Sequence, residues 1–126
     1  MNPLTDEIPG AEHQRVAGVR VDVVRTGSAR VKRLIYPPGF RWSTDMKPLV
    51  KTDTCLHAHV GFLAQGRIRG TYADGCAFDY VAPAVVAIEG GHDAWVDGPD
   101  AAVLVQFDAE QQTARLLGLP DRHTHG

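Results

Sequence analysis

Between Thr52 and His59 the chain reads Thr-Asp-Thr-Cys-Leu-His-Ala-His, and every second residue is a metal-ligand type. In an extended strand successive side chains point to opposite faces. Asp53, Cys55, His57 and His59 would then share one face, with Thr52, Thr54, Leu56 and Ala58 on the other. A carboxylate, a thiol and two imidazoles would lie along about 20 Å of strand, at about 3.3 Å per residue. A strand face turned to a core carries Val, Ile or Phe, so this one is built for solvent or for coordination. A thiolate among imidazoles and a carboxylate favours Zn(II), with Fe(II), Ni(II) and Cu next. His57, where it is free of the metal, suits proton transfer, because an imidazole ordinarily titrates near pH 6.5, about the only side chain to do so.

Each residue also has a plainer reading. Free cysteine is often a small buried hydrophobe, which would account for Cys55 and accounts better for Cys76, which opens a hairpin strand with no ligand neighbours. Asp53 could hydrogen-bond at a strand end, or orient an imidazole rather than ligate. Arg41 and Trp42 read as a loop anchored on the core by one aromatic, in preference to a lid. Tyr72, Phe78, Tyr80 and Trp95 read as core before pocket wall, and Glu89 as a turn cap before a base. Arg67 and Arg69 alternate with Ile68 and belong in solvent.

The elements that must position these groups are short strands. Val19 to Val23 alternates apolar and polar, Val31 to Tyr36 follows, and Pro37-Pro38-Gly39 stops it. Gly61 to Ala64 runs into a turn at Gln65-Gly66. Arg67 to Tyr72 alternates again, and Asp74-Gly75 is a hairpin signal returning through Cys76 to Tyr80. Ala84 to Ile88 is continuously apolar and reads as a strand buried on both faces. A turn at Glu89 to Trp95 feeds another strand, and Ala101 to Phe107 is the last, with Val103, Val105 and Phe107 aligned on one face. Asp108 fits a helix cap with Gln111 three residues on, so a short helix is expected from about 109 to 117. Residues 1–17 read as an arm across the body or a partner subunit, 18–120 as a single domain, and 121–126 as a tail. Eight or nine strands with Gly, Pro and Asp turns argue an all-β barrel or double-sheet jelly roll.

Composition narrows the partners. The 126 residues carry a net charge of -2, with no basic footprint for nucleic acid or an anionic membrane. No apolar run is long enough to span a bilayer, and acids stand where a secretory signal would have a basic flank. A cytoplasmic protein is expected, its two cysteines free or ligating rather than paired. Exposed edge strands and the arm suit a homodimer.

Over about residues 31 to 107 the chain resembles the cupin superfamily, double-stranded β-helix barrels with a metal in the mouth. The likeness rests on Pro37-Pro38-Gly39, Leu63-Ala64-Gln65-Gly66, Asp74-Gly75 and Ile88 through His92. More narrowly, Arg41-Trp42-Ser43, Asp45, Lys47-Pro48, Cys55, His59-x-Gly61-Phe62 and Gly91-His92-Asp93-Ala94-Trp95 look like a group of short bacterial single-domain cupins. The family pattern runs His-x-His, three residues, Glu, then six residues to a glycine, with a further His in a second motif. With His57 and His59 as the pair, the Glu position falls on Leu63, which cannot ligate. With Gly66 as the fixed point, His59 takes the Glu position, Cys55 the second His and Asp53 the first, and His92 supplies the second motif. The resemblance in this second register implies a site of Asp53, Cys55, His59 and His92, with His57 as an extra inward or rim imidazole. It implies a metalloenzyme acting on a small organic molecule (oxygenase, isomerase or decarboxylase), or else a non-catalytic domain that binds or senses a small ligand.

Overall fold

The computed structural model describes residues 2–27 and 29–107, and the strands in it follow the turn residues closely. β1 (Glu12–Val16), β2 (Val19–Thr26) and β3 (Ala29–Tyr36) form a meander. Two four-residue helical turns follow, α1 (Trp42–Asp45) and α2 (Lys47–Val50). Then come β4 (His59–Gln65), β5 (Arg67–Tyr72), β6 (Ala77–Val81), β7 (Ala84–Ile88), β8 (His92–Val96) and β9 (Ala102–Phe107). They make two antiparallel sheets, one ordered β1-β2-β3-β9-β4-β7 and one ordered β6-β5-β8. This is the expected all-β double-sheet arrangement. At the β4–β5 turn Gly66 has φ +88°, and a side chain there would meet the backbone of Ala101 at 2.7 Å, so glycine is required twice over.

The core lies between the sheets. Val19, Val21 and Val23 of β2, Leu63 of β4, Val86 and Ile88 of β7, and Ala102 and Leu104 of β9 are buried there. One expected face differs. Val85 is 65% exposed, so β7 is buried on one side only, as a strand of an antiparallel sheet can be. In β9 the inward residues are Ala102, Leu104 and Gln106, whereas Phe107 is 51% exposed. Both faces of that strand carry apolar residues, and pairing with β3 and β4 decided which one turned in.

Trp42 is buried, as an anchoring aromatic should be, but on a helical turn rather than a plain loop. The largest correction concerns 52–58, which form no regular strand: Cys55 alone makes a β-bridge, to His92, and β4 begins only at His59. The expected helix at 109–117 and the tail at 121–126 lie outside the described residues.

The N-terminal stretch packs on the chain's own body. Its last part is β1, paired with β2, and its first part covers a buried charge cluster. Asp22 is fully buried on β2, facing Arg33 across the strand pair. Arg33 donates to Asp22 Oδ2 at 2.7 and 3.0 Å, and His13 Nδ1 stands 2.6 Å from Asp22 Oδ1. The remaining guanidinium hydrogens reach the carbonyls of Pro3 and Asp6, while Arg20 donates to that of Thr5. Buried ions are stable only when paired and hydrogen-bonded, and here the N-terminal carbonyls complete the set.

Two outcomes follow from this cluster. Arg33→Met strands a buried carboxylate and should cost about 3–5 kcal/mol in chemical denaturation. Burial works to raise the Asp22 carboxyl, but the hydrogen bonds from His13, Arg33 and Arg20 outweigh it and hold it below the usual carboxylate range. Its contribution to stability is therefore present above about pH 4 and lost as pH falls below that. Tm against pH should show an acid limb in that window that Asp22→Asn flattens.

Candidate metal centre

Cys55, His59 and His92 come from three separate places: an irregular segment, the first residue of β4 and the first residue of β8. The backbone brings them together. Cys55 N–H donates to the His92 carbonyl at 2.7 Å, and Gly91 N–H donates to the Cys55 carbonyl at 2.7 Å. The approach is tight next door as well, since a side chain on Gly90 would come within 2.4 Å of the Leu56 carbonyl. β4 and β7 pair His59 with Ile88, which leads through the short 89–91 turn into His92. The donor atoms of Cys55, His59 and His92 all lie within 4.8 Å of one another.

Hydrogen bonds fix both rings. His92 Nδ1 stands 2.6 Å from the Glu89 carbonyl, and a carbonyl only accepts, so Nδ1 carries the hydrogen and Nε2 the lone pair. His59 Nδ1 likewise donates to Gln106 Oε1 at 2.6 Å, which leaves its Nε2 facing Cys55 Sγ at 3.8 Å. The amide nitrogen of Gln106 lies 3.1 Å from His57 Nε2, so one carboxamide links the two imidazoles. Gln106 is a site residue that the sequence reading missed. Its only signal is a single glutamine in an otherwise apolar strand.

Burial sets the protonation states. It pushes His59 down to about 3, with the nearby His92, His57 and Lys32 charges adding to the effect against the Gln106 hydrogen bond. His92 is lowered as well, mainly by burial. The Cys55 thiol is raised by burial and, less, by the Asp93 carboxylate, against a hydrogen bond with the His57 backbone. At neutral pH the cluster is two neutral imidazoles and a protonated thiol.

That donor set fits a divalent metal. Zn–S of about 2.3 Å and Zn–N of 2.0–2.1 Å put tetrahedral ligands roughly 3.3–3.6 Å apart, so these three need close by at most about 1.5 Å. The Glu89 carbonyl and the Gln106 amide hold the far nitrogens of both rings, as ligating histidines require.

The other expected site residues stand apart. Asp53 is exposed and outside the group. Once 52–58 ceased to be a strand, alternation no longer carried Asp53 to the same face. His57 is exposed at the rim, its ring 5.4 Å from that of His59. Glu89 contributes its backbone to His92 and is not in the group. Tyr72 and Phe78 pack edge-on against His92 and join the core, whereas Trp95 lines a cavity.

That cavity, of about 480 Å³, opens onto the cluster; its walls include Leu34, Tyr36, Phe40, Trp42 and Leu104 beside Cys55, His57, His59 and His92. Arg41 stacks on Trp95 at 4.2 Å, and Asp93 accepts from Ser43 N–H at 3.0 Å, tying α1 to β8.

In chelator-treated protein the His59 ring should stay neutral far below the ordinary histidine range, titrating near pH 3 by NMR of the labelled imidazole. A folded-state value below the unfolded one means that its contribution to stability is full above about pH 6.5 and declines as pH falls toward 3. A His59 ring titrating near 6.5 would show that it is not buried in this way.

No family model and no curated protein matches the chain. Among solved structures it is similar to the cupin domain of Schizosaccharomyces pombe Cnp3, with 16% identity and a TM-score of 0.54, over 92% of this chain and 76% of that one. Identity that low speaks to fold and not to activity. The chain has a cupin-like fold: two antiparallel sheets enclosing a cavity, with a cysteine–histidine cluster on its wall.

Proposed function

We propose that Cys55, His59 and His92 would hold a divalent metal, Zn(II) first and Fe(II) or Ni(II) next, and that the protein acts on a small organic molecule in the cavity. The convergence of a thiol and two correctly tautomerised imidazoles on one small volume carries this reading. Held by these three residues, a metal would supply Lewis acidity. The chain's own residues do the rest. Gln106 and the Glu89 carbonyl orient the two rings, the apolar walls exclude water, and His57 moves a proton at the rim through a ring held by Gln106. Asp53 has no part in the proposed ligand set.

A cytoplasmic setting and a homodimer belong to the same proposal. They are supported by cysteines that form no disulfide among the described residues and by apolar residues such as Phe62 and Val85 exposed on one sheet. Among the described residues no helix is long and apolar enough to cross a membrane.

Metal analysis tests the centre. Purified wild-type protein should carry near-stoichiometric metal, Cys55→Ser and His92→Ala should fall to background, and Asp53→Asn should match wild type. Equal metal content in wild type, Cys55→Ser and His92→Ala would sink the proposal. Because both imidazoles are already neutral, binding displaces chiefly the thiol proton, and zinc affinity should climb by about tenfold per pH unit between pH 6 and 8. A thermal-shift survey of small acids, keto compounds and sugars then separates turnover from binding, since an enzyme consumes its stabilising ligand and a sensor domain does not.

A further inference from the structure

Of the three tyrosines in the chain, two have hydroxyls engaged inside the fold. Tyr72 Oη accepts from Glu89 N–H at 3.2 Å, and Tyr80 Oη donates to the Ala87 carbonyl at 3.2 Å. Tyr36, the last residue of β3, differs. It is the register partner of Ala102, a core residue of β9, so it stands on the inner face of the large sheet and lines the cavity. Only 9% of it is exposed, and its ring packs against Phe40 with centroids 5.1 Å apart. No hydrogen bond among the described residues engages its hydroxyl. Since no side-chain polar atom sealed in the fold is left unpaired among those residues, this hydroxyl opens onto the cavity and not into packed core. A buried phenol ordinarily has a partner, and here the partner has to enter from the cavity.

The group also stands close to the cysteine–histidine cluster. Burial pushes the Tyr36 phenol above its usual range, and the neighbouring Cys55 adds to the effect. It is therefore a protonated donor within electrostatic reach of the sulfur. The cavity walls are largely apolar, and about 480 Å³ suits a small molecule. A ligand that fills such a space displaces water from the hydroxyl, and a hydrocarbon surface there would leave the O–H without an acceptor. A site with a buried hydrogen to satisfy discriminates by whether the ligand brings an acceptor. A carbonyl oxygen meets that need without adding a second hydrogen that itself wants a partner.

We propose that the Tyr36 hydroxyl is a specificity-determining hydrogen-bond donor, and that the cavity selects a small, largely apolar molecule whose carbonyl oxygen accepts from it beside Cys55. The proposal gives a ligand class to the proposed metal centre and rests on that reading for its catalytic meaning, whereas the hydrogen bond itself needs no metal.

The test compares acetophenone with α-methylstyrene, which has a methylene group in place of the carbonyl oxygen and otherwise keeps its shape. Dissociation constants are measured by NMR titration on the full chain, metal-free and zinc-loaded, for wild type and Tyr36→Phe. In metal-free protein Tyr36→Phe should weaken acetophenone by at least about fivefold and change α-methylstyrene by less than about twofold. The infrared carbonyl stretch of bound acetophenone should lie at lower frequency in wild type than in Tyr36→Phe, a readout that reports the hydrogen bond and not the packing. Because the hydroxyl has no partner to lose in the free protein, Tyr36→Phe should melt no lower than wild type. A lower melting temperature, an equal effect on both probes, an unshifted carbonyl stretch or failure of acetophenone to bind would overturn the proposal. Wild-type protein that holds no zinc yet shows the Tyr36 dependence would remove the metal reading alone. Zinc at full occupancy without that dependence would remove this one alone.

Discussion

The structure depends on one short backbone contact, the bridge between Cys55 and His92. A single pair of residues, hydrogen-bonded through Cys55 N–H and the Gly91 amide, ties an otherwise irregular segment to the start of β8. An isolated bridge has no ladder behind it, so its position is held by what flanks it. Gly90 admits the Leu56 backbone, and Asp93 clamps the first turn of α1 from the next residue of β8. The consequence is chemical. A thiol that could not have reached His92 along a strand is set beside it by a crossing of chains.

Around that contact the polar groups are divided between two places. On the outer side of the large sheet Asp22, Arg33, Arg20 and His13 form a charged cluster closed by N-terminal carbonyls. Between the sheets the imidazoles of His59 on β4 and His92 on β8 are uncharged, held by a carboxamide and a carbonyl. The difference is one of compensation. Opposite charges meet in the first cluster and can remain ionised under cover. In the second, burial, with repulsion between neighbouring imidazoles, keeps the rings neutral, and burial keeps the thiol protonated. A neutral, preorganised donor set with lone pairs turned to one point is what a cation would find most favourable.

The cavity shares this logic. Its walls are apolar because they are the inner faces of β3, β9 and the helical turns, the same faces that make the core. Against such walls a few polar groups count for a great deal, since little water competes with them. Gln106 and Lys32, side by side in the β3–β9 register, are two of these.

Much of this was legible in the sequence. Turn chemistry at Gly66 and Asp74-Gly75 marked the hairpins, and alternation found β2, β5 and β6 in nearly their observed places. Cys55, His59 and His92 could be named because thiol and imidazole are scarce and their spacing to Gly66 is meaningful in a cupin-like fold. Residue type and local period, however, act only along the chain. Whether 52–58 would be a strand depended on finding a partner strand, and only Cys55 found one. Asp53 and His57 were drawn outward for that reason. Which face of β9 turned inward, and hence that Gln106 rather than Phe107 meets the histidines, was decided by pairing with β3 and β4. The sequence by itself determined the sheets, the turns and the donor atoms available. Tertiary structure decided which donors meet, because convergence in space is a property of strand pairing between distant segments and no local pattern encodes it.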